Sequence, residues 1–458
     1  MTDNESNELK STIIHNVFIV NEGESFLGYV TIVGKFIETV GRGEPSAEEI
    51  ASADNVIDGR QDLLLPGVID THVHFRDPGM THKGDMQSES RAAVAGGVTS
   101  FIDMPNTSPA TTTMDLVDDK LRRASEVSLA NYGFFIGATA DNFEELRTAD
   151  YSRCAGVKLF LGSSTGNLLL TDDDRIRELF ESVPALIAVH AEDEQLLCQS
   201  RKEIVDRYGE NLPIGFHPII RNHEVCYSAS SRIVGLAREY GHRLHLLHVS
   251  TAKELTLLQP GSPDGKLITA ETCPQYLAFS DEQYQMLGSR IKCNPAIKRP
   301  ADRDALRQAV IDGRIDTIST DHAPHLPKEK LGTALTAASG MPLIQFSLTL
   351  MLQMVEEGYF PLTTIVEKMA HNPAKIFGID RRGFIRPGYY ADLVLVNNDC
   401  DPYTITDAWS LSRCGWTPLN GLTVNNKVDM TIVNGHAVYR FGVLFDKPRS
   451  AQPLKFIR

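Results

Sequence analysis

His72 and His74, within "VIDTHVHFRDPG" (68–79), stand two apart on a run that reads as a strand. Both imidazoles therefore point to one side and can grip one ion. An isolated pair of this kind is ordinarily a pair of hydrogen-bonded core or surface histidines. Other strand ends in the chain repeat the pattern and favour a metal instead. His190 closes "ALIAVH", His248 closes "RLHLLH", Asp103 and Asn106 lie in "FIDMPNT", and Asp321 and His325 lie in "STDHAPH". Imidazole and carboxylate without thiolate suit zinc or a similar divalent ion, with positions left for water and substrate.

Lys158, in "AGVKLFLGSSTGN", is the odd member, because a charged lysine is a poor neighbour for a metal and is rarely buried unpaired. Two readings stand: its amine meets a carboxylate, or it loses its proton and adds carbon dioxide, giving a carbamate able to bridge two metals. His245 lies three residues before His248, faces the other side of its strand and is assigned to packing or hydrogen bonding. His82, His217, His223, His242, His322 and His371 read as structural or exposed. Cys293 adjoins a candidate substrate loop but has no activating neighbour.

Groups at strand ends need a scaffold that brings those ends together. From Leu63 to Gly378, apolar strand candidates alternate with helical stretches. Eight can be counted: "LLLPGVIDTHVHF", "GVTSFIDM", "YGFFIGATA", "AGVKLFLG", "ALIAVHAE", "RLHLLHVS", "KLITAETCP" and "DTISTDHAPH". The expected fold is an α/β (β/α)8 TIM-type barrel, whose loops after the strands form the open, catalytic face. Neither GxGxxG after the first strand nor GxxxxGK[ST] occurs, so a nucleotide-binding α/β fold has no support. Short β-branched runs fill both chain ends and predict a small β-sandwich domain. The expected division is 1–62 and 381–458 for that domain and 63–380 for the barrel.

The 458 residues carry a formal net charge of −14 and are 42% hydrophobic. That describes a chain with a sizeable core and a poor candidate for nucleic acid or an anionic membrane. Seven scattered cysteines without a CxxC predict a reducing compartment. The N-terminus lacks a basic n-region and an apolar core of the secretory type, and no apolar run is long enough to span a bilayer, so the expected location is cytoplasmic.

The assembled motifs resemble those of the amidohydrolase superfamily and, within it, the type I dihydroorotases: "LPGVIDTHVHFRDPG", "AGGVTSFIDMPNT", "GVKLFLG", "VHAE", "LHVS", "STDHAPH", "HNPAKIFG" and "GFIRPGYYADLVLVN". The resemblance runs nearly the whole length of the chain. It implies a binuclear zinc site in which His72, His74 and Asp321 hold one ion and His190 and His248 the other. Carbamylated Lys158 and a hydroxide would bridge the two, and Asp321 would serve as the catalytic proton shuttle. Leu247 stands where some members have a cysteine for a further zinc, so two metals are expected.

The implied reaction interconverts N-carbamoyl-L-aspartate and L-dihydroorotate in pyrimidine biosynthesis. Arg76 offers a planar fork suited to the substrate carboxylate. Asn106 and His325 match the family's other carboxylate contacts, and Asn294 in "CNPAIK" matches a substrate-binding position. The segment "TALTAASGMPLIQ" departs from the family pattern near Ser339 and Gly340. "GSSTGN" could act as a lid, with Ser164 or Thr165 on the substrate, or as a plain turn. An allantoinase or hydantoinase would share the metals, and an inactive dihydroorotase-like scaffold would lack the chemistry. A homodimer is the family default.

Overall fold

Each of the eight apolar runs contains a parallel strand: β1 (Val68–Val73), β2 (Val98–Asp103), β3 (Asn131–Phe134, resuming as Ile136–Gly137), β4 (Val157–Phe160), β5 (Ile187–His190), β6 (Leu244–Leu246), β7 (Ile268–Thr272) and β8 (Thr317–Ile318). The computed structural model describes residues 10–162 and 167–458, so Ser164 and Thr165 lie outside the described residues. Every residue of β1 to β5 is buried, which is why these strands read as continuous apolar runs rather than as alternation.

Hydrogen bonding joins β1 to β2 and β3, and a second arc runs from Ile136–Gly137 through β4, β5, β6 and β7 to β8. The circle closes through a parallel bridge between Val73 and His322 and a 2.8 Å hydrogen bond from His74 N to His322 O. Closure brings all eight C-terminal strand ends to one face, as the expected (β/α)8 barrel requires.

Local chemistry starts and stops the helices. Met86–Ala95 begins at Asp85, whose side chain accepts from Ser88 N. It ends at Gly96 and Gly97. A Cβ on Gly96 would lie 2.3 Å from Gln345 O, and Gly97 adopts φ +82°. Met114–Val127 begins at Thr113, which caps Leu116 N, and buries Val117, Lys120 and Ala124. The Lys120 ammonium pairs with the Asp103 carboxylate, which also accepts from Phe75 N at 2.8 Å. Asp103 is thus spent on joining β1, β2 and a helix.

The chain ends together form one nine-stranded sheet. Its central joint is Leu63–Pro66, which pairs in parallel with Ser11–Asn21 and antiparallel with Leu393–Asn397. Alternation sorts its residues: Ile14, Ile19, Leu64, Leu393, Leu395 and Ile432 share one apolar cluster, while Val20, Leu63, Leu65, Val394 and Val396 belong to the barrel's core cluster. Past the last strand, the chain returns to the barrel. Leu454 N donates to Tyr132 O at 2.8 Å, and Leu454 and Phe456 pack with Ile69, Ile102, Phe135 and Phe377.

Between its strands, the C-terminal part also reaches the catalytic face. Ser412 Oγ donates to Glu89, and Trp416 Nε1 donates to His325 O at 2.7 Å. Seven free cysteines are present, five of them buried. Among the described residues, no helix is long and apolar enough to cross a membrane.

Candidate metal centre and substrate cavity

The strand ends place His72, His74 and Asp321 so that one potential ligand atom from each lies within 4.8 Å of the others. Asp321 Oδ1 is 3.3 Å from His72 Nε2 and 3.0 Å from His74 Nε2. His190 Nδ1 and His248 Nε2 are 2.8 Å apart, and the His72 ring lies 5.4 Å, centroid to centroid, from that of His248. The two groups therefore make one continuous cluster.

Outward partners orient three of the four imidazoles. His72 Nδ1 donates to Glu271 Oε1 at 2.7 Å, His74 Nδ1 to Asn106 Oδ1 at 2.7 Å, and His190 Nε2 to Glu192 Oε2 at 2.9 Å. With one nitrogen of each ring donating outward, the other carries its lone pair into the cluster, the arrangement a cation needs. His248 Nδ1 is buried with no hydrogen-bond partner. Burial drives His72 and His248 well below the usual imidazole range and lowers His190 as well, so all three are neutral ligands-in-waiting. Burial pushes the Asp321 carboxyl up, but His72 and His74 outweigh it and hold the group below its ordinary value, as an anion.

Lys158 lies among these groups, fully buried, and its Nζ has no hydrogen-bond partner. Burial lowers its amine to about 7, against the opposing pull of Asp321 and Glu271. An orphaned, readily neutral amine beside four imidazoles and a carboxylate fits a nucleophile toward carbon dioxide better than a buried ion pair. The donor set thus fits a divalent metal pair.

The backbone at the site is unusual in a way that aims the side chains. Arg76, His248 and Asp321 all have positive φ, at 66°, 41° and 50°. Each follows the end of a strand and is pinned by neighbours. Asp70 accepts from both N and Oγ1 of Thr320, just before Asp321. Glu271 Oε1 accepts from His248 N at 3.2 Å, and Met80 N donates to Arg76 O at 3.0 Å.

The cluster opens into a cavity of about 420 Å³ lined by all ten of the residues singled out above: His72, His74, Arg76, Asn106, Lys158, His190, His248, Asn294, Asp321 and His325. A larger groove of about 1020 Å³, between residues 196–225 and 281–302, contains none of them. In the smaller cavity, besides the neutral-leaning Lys158, four cationic residues (Arg76, Arg201, Arg221, Lys292) face two acids (Glu194, Asp321), with Arg221 paired to Glu192. A cationic pocket in a chain of net charge −14 points to an anionic ligand. Buried Arg76 donates from Nε to Pro324 O at 3.3 Å, and its Nη2 lies 3.2 Å from His325 Nε2. Asn294 Oδ1 is buried without a partner, while the Oδ1 of Asn106 is already occupied by His74.

Ser339 and Gly340, from the segment that departs from the family pattern, also line the cavity. A Cβ on Gly340 would lie 2.7 Å from Ala323 O and 3.0 Å from the His325 ring, so only glycine fits there. His245 bonds Thr269 Oγ1 at 2.8 Å through Nδ1. Burial pushes the Cys293 thiol up to about 12, and its Sγ lies against Pro295 O, in keeping with an inert thiol. The residues passed over are Glu192 and Glu271. Glu192 lies two residues beyond the end of β5, and Glu271 is the penultimate residue of β7, beside the strand ends that marked the histidines.

The amidohydrolase family model matches residues 63–438. A dihydroorotase of Halobacterium salinarum is 36% identical over 380 residues, covering 82% of this chain and 86% of that one. An allantoinase of Streptomyces avermitilis is 31% identical over 410 residues, covering 88% and 90%. Among solved structures, an L-hydantoinase (dihydropyrimidinase) from Arthrobacter aurescens superposes with a TM-score of 0.90 at 25% identity, covering 98% of this chain and 100% of that one.

Proposed function

The chain belongs to the amidohydrolase family, and on that premise we propose that it is a cytoplasmic, zinc-dependent dihydroorotase that closes N-carbamoyl-L-aspartate to L-dihydroorotate and reverses the step. Its family relatives make it a hydrolase of cyclic amide C–N bonds. The observation that carries the narrower reading is the buried guanidinium of Arg76, beside His325, in the wall of a cationic cavity that also contains the histidine–aspartate cluster. A ring without a free carboxylate gives no reason to bury that cation, because desolvating it is costly unless an anion compensates.

His72, His74 and Asp321 would hold one zinc ion, His190 and His248 a second, with Lys158, as its carbamate, between them. Bound there, the pair supplies Lewis acidity that polarises the ring amide and acidifies a water. Arg76, Asn106 and His325 bind the exocyclic carboxylate, Asn294 contacts the substrate, and together they fix which amide carbon faces the cluster. Asp321, anionic at rest, accepts the water proton as the C–O bond forms and delivers it to the amide nitrogen as the C–N bond breaks. Ring closure runs the same proton transfers in reverse.

A cyclic amidase of the allantoinase or hydantoinase type is the second reading, favoured by the structural likeness to L-hydantoinase. The deciding experiment loads the protein with zinc, measures metal per chain, and compares turnover of dihydroorotate, allantoin and hydantoin. Dihydroorotate turnover far above the others is expected. Preference for a neutral ring would overturn the assignment.

A further inference from the structure

His325 is contacted at both ring nitrogens by side chains that have only hydrogens to give. Arg76 Nη2 lies 3.2 Å from Nε2, and Lys83 Nζ lies 3.2 Å from Nδ1. A neutral imidazole has one lone pair, so it can accept from only one of them. Glu329 fixes the position of Lys83. Its Oε1 is 2.8 Å from Lys83 Nζ, and its other oxygen stands 3.7 Å from His325 Nδ1, too far for a hydrogen bond. Glu329 is itself held in place, because Oε2 accepts from Leu326 N at 2.8 Å. The charge-compensated Lys83 is thus the group seated against Nδ1.

We propose that Lys83, anchored by Glu329, is a positioning residue that sets His325 as the Nε2–H tautomer, so that His325 and Arg76 present converging N–H donors to a carboxylate in the cavity. The inference rests on the dihydroorotase reading for the identity of that carboxylate, but not for the tautomer. With Lys83 on Nδ1, the proton sits on Nε2, and the approach of Arg76 becomes donor against donor. A carboxylate oxygen accepting from both relieves that opposition. Burial, with Arg76 and Lys83 beside it, pushes the ring down to about 2, so it is a neutral donor rather than an imidazolium. The Ser339 backbone also hydrogen-bonds the ring and raises its affinity for a proton, as an acceptor of a ring N–H does.

Removing Lys83 frees Glu329 to draw the proton to Nδ1. Nε2 then turns into an acceptor, makes a good hydrogen bond to Arg76, and has no hydrogen for a substrate. Lys83 touches no reacting atom in this scheme, so its loss should appear in binding and in the ring's own signature.

The test uses the full-length, zinc-loaded protein with ¹⁵N-labelled histidine. Imidazole nitrogen shifts should report Nε2–H for His325 in the wild type, inversion to Nδ1–H in Lys83→Met, and restoration in Lys83→Arg. In parallel, Lys83→Met should raise KM for dihydroorotate roughly 10- to 100-fold, the loss of one hydrogen bond to a charged group, with kcat little changed. Nδ1–H in the wild type, or the same tautomer in Lys83→Met, overturns the proposal whatever the kinetics. If the wild type shows the Nε2–H tautomer but fails to turn over dihydroorotate, the substrate assignment falls and the role of Lys83 stands.

Discussion

Arg76→Met separates the two duties of the site at a single residue. The methionine keeps the bulk and loses the fork, so kcat/KM for dihydroorotate should fall by roughly 100-fold or more while zinc content stays near that of the wild type. Unchanged kcat/KM with normal zinc would refute the carboxylate role. Lys158→Ala acts on the other half: metal and activity should both fall, with partial rescue by short carboxylic acids that replace the bridging anion. The same lysine predicts a pH dependence. Its amine is lowered to about 7, so it is protonated below that pH and nucleophilic above it. Reactivation of metal-stripped, decarbamylated protein by zinc at a constant concentration of dissolved carbon dioxide should therefore slow about tenfold for each pH unit below 7. A flat profile from pH 5 to 8 would count against carbamylation. The histidine–aspartate cluster and Arg76 were legible because polar groups ending apolar strands are conspicuous. Glu271 carried the same mark, but its partner, His72, is 199 residues away in sequence, and no local spacing announces that contact.

At the scale of elements, the barrel strands were readable from their apolar runs, whereas their ends were not. β8 is regular over only Thr317–Ile318, although ten residues from Asp316 to His325 read as strand. The difference lies in the left-handed turn at Asp321 and the hydrogen bonds from Thr320 to Asp70, which take the backbone out of the ladder where the site begins. A period-two pattern contains no information about such a turn. The strand-end acid Asp103 shows the reverse case, a chemically suggestive residue tied to Lys120. Lys120→Met should cost roughly 3–5 kcal/mol by leaving a buried carboxylate without its partner. An earlier urea midpoint would report it, with zinc content per folded molecule preserved.

The whole molecule depends on both ends of the chain meeting over the barrel. That the end runs were β-rich was legible; that the last residues return to β3 was not, since Leu454 and Phe456 find their partners among Ile69, Ile102 and Phe377, far apart in the chain. Phe456→Ala should destabilise the protein by about 3–5 kcal/mol through the cavity it leaves. Metal binding at low temperature should survive, because the substitution lies away from the cavity-lining residues. Loss of metal at full folding would contradict this separation. The joint at Leu63–Pro66 also has a meaning in time. On the ribosome, this strand leaves one edge open until Leu393–Asn397 is made. At roughly 5–20 residues per second, that wait is on the order of half a minute. A bare, apolar edge is meanwhile available to any neighbouring strand. Newly made chains released before the C-terminal strands should therefore aggregate, and the order of synthesis, rather than the final stability, should limit the yield of soluble enzyme.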